Sequence, residues 1–131
     1  MRTITAHLED TPYQVRLSDG LHHWLADEPA TAGGGDSGPG PSDLVLSGLG
    51  ACTAITLIMF ASRKQWPLQG VDVTLDLAKG ATPADGSRIT RQIRLTGPLD
   101  EEARARLLQV ANACPVHKLL SNPIHIDTAL L

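Results

Sequence analysis

The feature that most constrains the fold is an uncharged stretch from Leu44 to Ser62, which reads LVLSGLGACTAITLIMFAS. A run of this length can be a transmembrane span. Here small and polar residues dilute it, and an acid, Asp43, precedes it while a base, Arg63, follows it. An acid at the beginning of a helix and a base at its end both interact favourably with the helix dipole. We therefore predict a core helix of a soluble protein, beginning at Pro41.

A helix that is apolar on all sides must be covered on all sides. The chain has 131 residues, which is about one domain, so we predict a single domain over residues 1–131. One phenylalanine, one tyrosine and two tryptophans leave a mainly aliphatic core. A domain of this size can hardly surround the helix, whereas a second copy of the chain can. The sequence thus predicts a homodimer.

The rest of the chain is read from its hydrophobic periodicity. In chain order we predict strands at 2–8, 12–17, 21–26, 71–77 and 88–96, helices at 100–112 and from Pro115 to before Asn122, and a last strand at 124–131. Residues 27–42, rich in glycine, proline and serine, predict a long loop. In strand 88–96 the apolar face is assigned to Ile89, Ile93 and Leu95. The order βββ-α-ββ-αα-β predicts an α+β fold with a mostly antiparallel sheet.

Charge and short motifs exclude several classes of function. The formal net charge is −3, and no basic cluster exceeds Arg63–Lys64, so we expect neither nucleic-acid nor membrane binding. The first residues lack the apolar core of a signal peptide, which favours a cytoplasmic protein. No phosphate-cradling glycine loop and no serine nucleophile elbow is present, so we expect no cofactor.

Two cysteines remain as candidates for chemistry. Cys52 has uncharged helical neighbours, and taken alone it is typical of a buried structural residue. Cys114 precedes Pro115 at the predicted start of a short helix, where free N–H groups and the helix dipole favour a thiolate. His117 and Lys118 can add positive charge there.

The same segment also has an interpretation as a metal site. Cys114 and His117 are three positions apart and can chelate from one helix face. The further ligands would have to come from Cys52, His22, His23 or His125. Structural zinc prefers four ligands, usually in two paired motifs, and only one pair is visible. We therefore expect no metal.

Two segments resemble the OsmC/Ohr family, named for osmotically induced protein C and organic hydroperoxide resistance protein. The first, GGGDSGPGPSDLVLSGLGACTAI, has the family's glycine-rich loop, helix start and small-residue run ending in Cys52. The second, ANACPVHKLL, has the family's second cysteine before Pro-Val, at Cys114. The element order given above also matches the fold of this family.

The resemblance implies an interwoven homodimer and a thiol-dependent hydroperoxide reductase. Cys52 would attack the hydroperoxide and become a sulfenic acid. Cys114 would then close an intramolecular disulfide, and an external dithiol would reduce it. The alternative is a protein of the same fold that binds a small ligand or senses redox state without peroxidase turnover.

The resemblance also separates two branches of the family. In the hydroperoxide-resistance branch, an arginine on the N-terminal hairpin, held by a glutamate ten positions before the first cysteine, activates the sulfur. Here that position is Ser42, and the acid is Asp43, nine positions before Cys52, as in the OsmC-like branch. Asp43 is kept as a supporting residue. Arg16 is the nearest candidate for the arginine, with Arg2 behind it.

Overall fold

The computed structural model describes residues 1–80 and 82–131, which form two compact units, Met1–Ser47 and Gly48–Leu131. Each unit contains one antiparallel sheet, and the described chain has three helices, so the predicted α+β class is confirmed. The single domain over residues 1–131 stays a prediction.

The first unit carries a three-stranded sheet in the order β1-β2-β3. Its strands are β1 (Thr5–His7), β2 (Val15–Ser18) and β3 (His23–Ala26). The predicted strands are therefore present but shorter. The turn before β3 uses Gly20, whose φ of 91° favours glycine, and the Asp19 carboxylate accepts the N–H groups of Leu21 and His22.

The predicted long loop follows β3, and it is organised around Asp27. This side chain is buried, and its Oδ2 accepts the hydroxyl of Ser37 at 2.5 Å and the N–H of Ser37 at 3.1 Å. Its Oδ1 accepts the N–H of Glu28 at 2.7 Å. A single 3-10 turn, Ala30–Ala32, interrupts the loop. Hydrogen bonds to a buried carboxylate therefore hold this segment together.

Helix α1 (Pro41–Lys64) confirms the predicted long helix. Its buried residues recur every four positions and form one stripe: Leu49, Thr53, Leu57 and Ala61. Among the described residues, α1 is the one helix whose length and mean hydropathy of 2.1 would allow it to cross a membrane, but the same stripe is what a core helix of a soluble protein presents. The helix ends where Gln65 adopts a φ of 57° and Pro67 follows.

The second unit pairs β4 (Gly70–Lys79) with β5 (Ser87–Thr96) in antiparallel register. The two predicted strands are present and form a hairpin, whose loop holds a 3-10 turn at Pro83–Asp85, while Ala81 lies outside the described residues. Helix α2 (Glu101–Ala111) begins at Asp100, whose carboxylate accepts the N–H of Ala103 at 2.8 Å. The buried core of this unit joins α1 to α2 through Leu57, Ala61, Leu107, Val110 and Ala111.

The predicted last strand is wrong. Residues 124–131 follow helix α3 (Pro115–Leu120) without regular structure, and they are exposed. Ile124 and Ile126 alternate as in a strand, but the segment pairs with none of the described strands. A strand without a partner leaves its backbone groups to water, so alternation alone does not produce one.

Candidate active site

Cys114 lies at the N-cap of α3, as predicted. Its side chain is fully buried, and its Sγ accepts the backbone N–H of His117 at 3.4 Å. Pro115 occupies the first turn, where the missing N–H costs nothing because that group has no partner within the helix. The sequence therefore forms a short helix whose free N–H groups face a sulfur atom.

Cys52 lies on α1 and is half-buried, one position before the buried Thr53. Its Sγ is 4.0 Å from the hydroxyl oxygen of Thr56, one helical turn further on. The Cys114 thiol is its neighbour and affects its ionisation. Both cysteines are free thiols in this structure. The fold thus brings together the two cysteines that the sequence singled out.

The surroundings affect the two thiols in opposite directions. Burial raises the pKa of Cys52, and the neighbouring Cys114 thiol raises the pKa further. Burial also opposes ionisation of Cys114, but hydrogen bonds outweigh it and lower the pKa of this thiol. The groups that lower it are the Cys52 thiol, the backbone N–H groups of His117 and Val116, and the Thr53 side chain. Negative charge in the pair is therefore favoured on Cys114, with the proton on Cys52.

An arginine that the sequence analysis did not single out lies beside this pair. Arg91 is on β5, and its Nη1 donates to Thr53 Oγ1 at 3.0 Å. Its Nη2 is 3.0 Å from Asn112 Oδ1 and 3.1 Å from His117 Nδ1. Because a guanidinium only donates, Nδ1 of His117 must be an acceptor here. Arg91 thus connects residues adjacent to both cysteines.

A signal for Arg91 was present in the sequence. Strand β5 alternates strictly, and residue 91 has the same parity as Ile89 and Ile93, so its side chain lies on the apolar face. A charged residue at an inward position of a regular strand is costly unless it has partners. Its partners on α1, α2 and α3 could not be identified from periodicity, because they lie 21 to 38 positions away.

Two of the other predicted site residues, Asp43 and Arg2, form hydrogen bonds. Asp43 accepts the backbone N–H of Gly40 at 3.2 Å through its Oδ2, at the beginning of α1. Arg2 donates to Asp19 at 3.1 Å. Arg16 is an exposed residue of β2. Support of the thiol chemistry by Asp43 stays a prediction.

A family model described as OsmC-like protein matches residues 33–129. The chain belongs to the OsmC-like family. The matched region begins in the loop of residues 27–40 between β3 and α1 (the Asp27 loop), includes both cysteines and extends beyond α3. The family resemblance inferred from the two cysteine segments is therefore confirmed. The chain matches no curated protein.

Solved structures of the family share the fold of this OsmC-like chain. An OsmC-like protein from Mycoplasma pneumoniae superposes with a TM-score of 0.80 at 24% identity, over 92% of this chain and 87% of that one. An organic hydroperoxide resistance protein from Legionella pneumophila gives 0.67 at 24% identity, over 92% and 88%. The organic hydroperoxide resistance protein OhrB of Bacillus subtilis gives 0.64 at 22% identity, over 91% and 89%. Identities this low show the fold alone.

The metal alternative finds no ligand cluster in this OsmC-like chain. Over residues 1–80 and 82–131, no group of three or more histidine, cysteine, aspartate or glutamate side chains could hold an ion. The ring of His117 instead accepts from Arg91. A separate small cavity of about 190 Å³ lies beside these two side chains, and its other lining residues are Leu49, Ile89, Leu120 and Ser121.

Proposed function

We propose that this chain is a thiol-dependent hydroperoxide reductase in which Cys52 attacks the peroxide and Cys114 resolves the product. The observation that carries the proposal is the proximity of two free thiols, one of them at a helix N-terminus. Arg91 bonds both Thr53, which follows Cys52, and His117, whose backbone N–H donates to the sulfur of Cys114. Two cysteines can form a disulfide where their Cα atoms lie within about 7 Å. Membership of a family that includes organic hydroperoxide resistance proteins supports the same chemistry.

Cys52 is assigned as the attacking residue because it is the more accessible of the two. Its side chain is half-buried, whereas that of Cys114 is fully buried. The attacking sulfur must be a thiolate. Since the Cys114 sulfur is the more acidic of the pair, it carries the thiolate and is the neighbouring base to which Cys52 can pass its proton as attack begins. The partially raised pKa of Cys52 also keeps its thiolate strongly nucleophilic.

The reaction has three steps. The Cys52 sulfur attacks one peroxide oxygen, the O–O bond breaks, and the products are a sulfenic acid and an alkoxide that takes up a proton to become an alcohol. The Cys114 sulfur then attacks the Cys52 sulfur, which releases water and forms the disulfide. An external dithiol reduces the disulfide to two thiols and is itself oxidised. The proposed compartment is the cytoplasm, because a reducing cytosol keeps both thiols free.

The test is hydroperoxide consumption with a panel of dithiol reductants, combined with mass spectrometry of the trapped thiols. The Cys52→Ser variant should lose consumption completely. The matched Cys114→Ser variant should complete one turnover and retain a trappable sulfenic acid on Cys52. The wild-type protein should lose both free thiols together under mild peroxide.

Two results would contradict the peroxidase proposal. One is a wild-type protein that keeps both thiols free after peroxide treatment. The other is a Cys52→Ser variant that consumes hydroperoxide at the wild-type rate. Either result would favour the alternative of a ligand-binding or redox-sensing protein.

We also propose that the chain is a homodimer through α1. Beyond its buried stripe this helix exposes large apolar side chains, with Ile55 at 59%, Met59 at 50% and Ile58 at 41% exposure. Adjacent exposed apolar residues of this size favour a protein interface. Light scattering should give twice the chain mass at micromolar concentration, and a folded monomer there would contradict the proposal.

A further inference from the structure

Arg91 is a charged side chain within an apolar row. On β5 it lies between Ile89 and Ile93 on the inward face and is half-buried. Removing a charge from water is costly unless hydrogen bonds or an opposite charge compensate it. A residue kept at such a position needs a reason in its contacts.

The contacts of Arg91 are all neutral. They are the Thr53 hydroxyl, the Asn112 side-chain carbonyl and the imidazole of His117. Throughout residues 1–80 and 82–131, no carboxylate lies within salt-bridge distance of this guanidinium. The positive charge therefore has hydrogen bonds but no counter-ion in the described part of the chain, and a nearby thiolate would be stabilised by it.

Each residue bonded by Arg91 lies within three positions of Cys52 or Cys114 in the chain. Thr53 directly follows Cys52, is fully buried, and lies near enough to Cys114 to lower the pKa of that thiol. The backbone N–H of His117 donates to the same sulfur. Asn112 lies at the end of α2, two positions before Cys114. One guanidinium thus fixes the three helical segments whose geometry determines the pair.

We propose that Arg91 is a positioning residue of the thiol pair, which acts through Thr53 and His117 to stabilise the thiolate on Cys114. The role deepens the proposed peroxidase function and rests on it. In this structure the hydroxyl of Thr53 donates its single proton to the carbonyl of Leu49, at an oxygen–oxygen distance of 2.7 Å. Because the oxygen of Thr53 accepts from Arg91, the proton remains free to turn from that carbonyl toward a sulfur that becomes negative.

The ionisable groups around the sulfur of Cys114 come from three elements of the described chain. They are Cys52 on α1 and His117 on α3, with Arg91 on β5 bonded to His117. The guanidinium of Arg91 stays positive at every pH at which a thiol titrates. A change at Arg91 should therefore move the titration of the pair in one direction, toward higher pH.

The experiment is a pH titration of the fully reduced protein, in which the ultraviolet absorbance of the first thiolate is followed. Arg91→Gln should raise the midpoint by about one pH unit. Arg91→Lys keeps the charge but loses the planar fork, and its midpoint should lie between those of the wild type and Arg91→Gln. The matched control is Arg94→Gln, which removes the same charge from an exposed position of the same strand and should leave the midpoint unchanged.

A folded Arg91→Gln protein with the wild-type midpoint would overturn the proposal, as would an equal shift in Arg94→Gln. If Arg91→Gln does not fold, Thr53→Val decides: a raised midpoint supports the relay, and an unchanged midpoint overturns it. The titration uses no peroxide, so its outcome is independent of turnover. Absence of hydroperoxide consumption by the wild type would count against the proposed function instead.

Discussion

Asp27 in the first unit and Arg91 in the second are both surrounded by neutral hydrogen-bonding groups, but their partners lie at different distances along the chain. Asp27 is bonded by Glu28 and Ser37, which are one and ten positions away. Arg91 is bonded to residues 21, 26 and 38 positions away. The first charge organises one loop, whereas the second connects separate elements of a unit.

The difference has a consequence for stability. The contacts of Asp27 form as soon as one segment closes on itself, at the small entropy cost of a short loop. Those of Arg91 require α1, β5, the end of α2 and the beginning of α3 to be in place together. Changes near Asp27 should therefore act through local backbone geometry, and changes near Arg91 should be coupled to one another.

The largest effect is expected for Gly34→Ala in the Asp27 loop. A Cβ at this position would collide with the backbone carbonyl of Glu28, which cannot move without breaking the loop's hydrogen bonds. The cost should be about 3 kcal/mol in the free energy of unfolding, measured by chemical denaturation. Gly35→Ala is the matched control, because a Cβ there makes an ordinary contact with Asp27 and should be tolerated. Equal losses in both variants would mean that the close approach does not constrain this loop.

A smaller effect is expected for Thr53→Val in the Arg91 network. Valine has nearly the shape of threonine, but it leaves the Nη1 of Arg91 without its acceptor. The loss should be about 2 kcal/mol, as for a buried hydrogen bond to a charged group. Thr90→Val, at an exposed position next to Arg91 in the chain, should change stability by less than about 0.5 kcal/mol.

The coupling between Thr53 and Arg91 can be measured with a double-mutant cycle. Once Thr53→Val has removed the acceptor, Arg91→Gln should cost less than it does alone. Strict additivity of the two changes would show that the hydrogen bond between them contributes nothing to stability, and the contrast with the Asp27 loop would fail.

The same contrast explains what the sequence could predict. The position of Cys114 at a helix N-terminus followed from Pro115, because capping depends on adjacent residues. The proximity of Cys114 to Cys52 followed only from the family resemblance. Arg91 stood on a face already assigned as apolar, but its partners depend on how helices pack against the sheet. The strand expected at 124–131 failed for the same reason, since pairing is decided by a distant partner.

The smallest expected effect is a difference in acid sensitivity caused by Asp27. The hydroxyl and N–H of Ser37 hold the pKa of Asp27 below its ordinary value in the folded protein. The unfolded chain therefore binds a proton at Asp27 more readily than the folded chain. The resulting stabilisation is fully present above the unfolded pKa and is lost as the pH falls through the folded pKa.

Denaturation midpoints of the wild type and of Asp27→Asn, compared between about pH 6 and about pH 2, isolate this contribution because the other carboxylates are common to both proteins. The wild type should lose more stability than Asp27→Asn over this range, since asparagine has no charge to lose. Equal losses would mean that the carboxylate charge of Asp27 does not hold the loop, and that its hydrogen-bond geometry alone does.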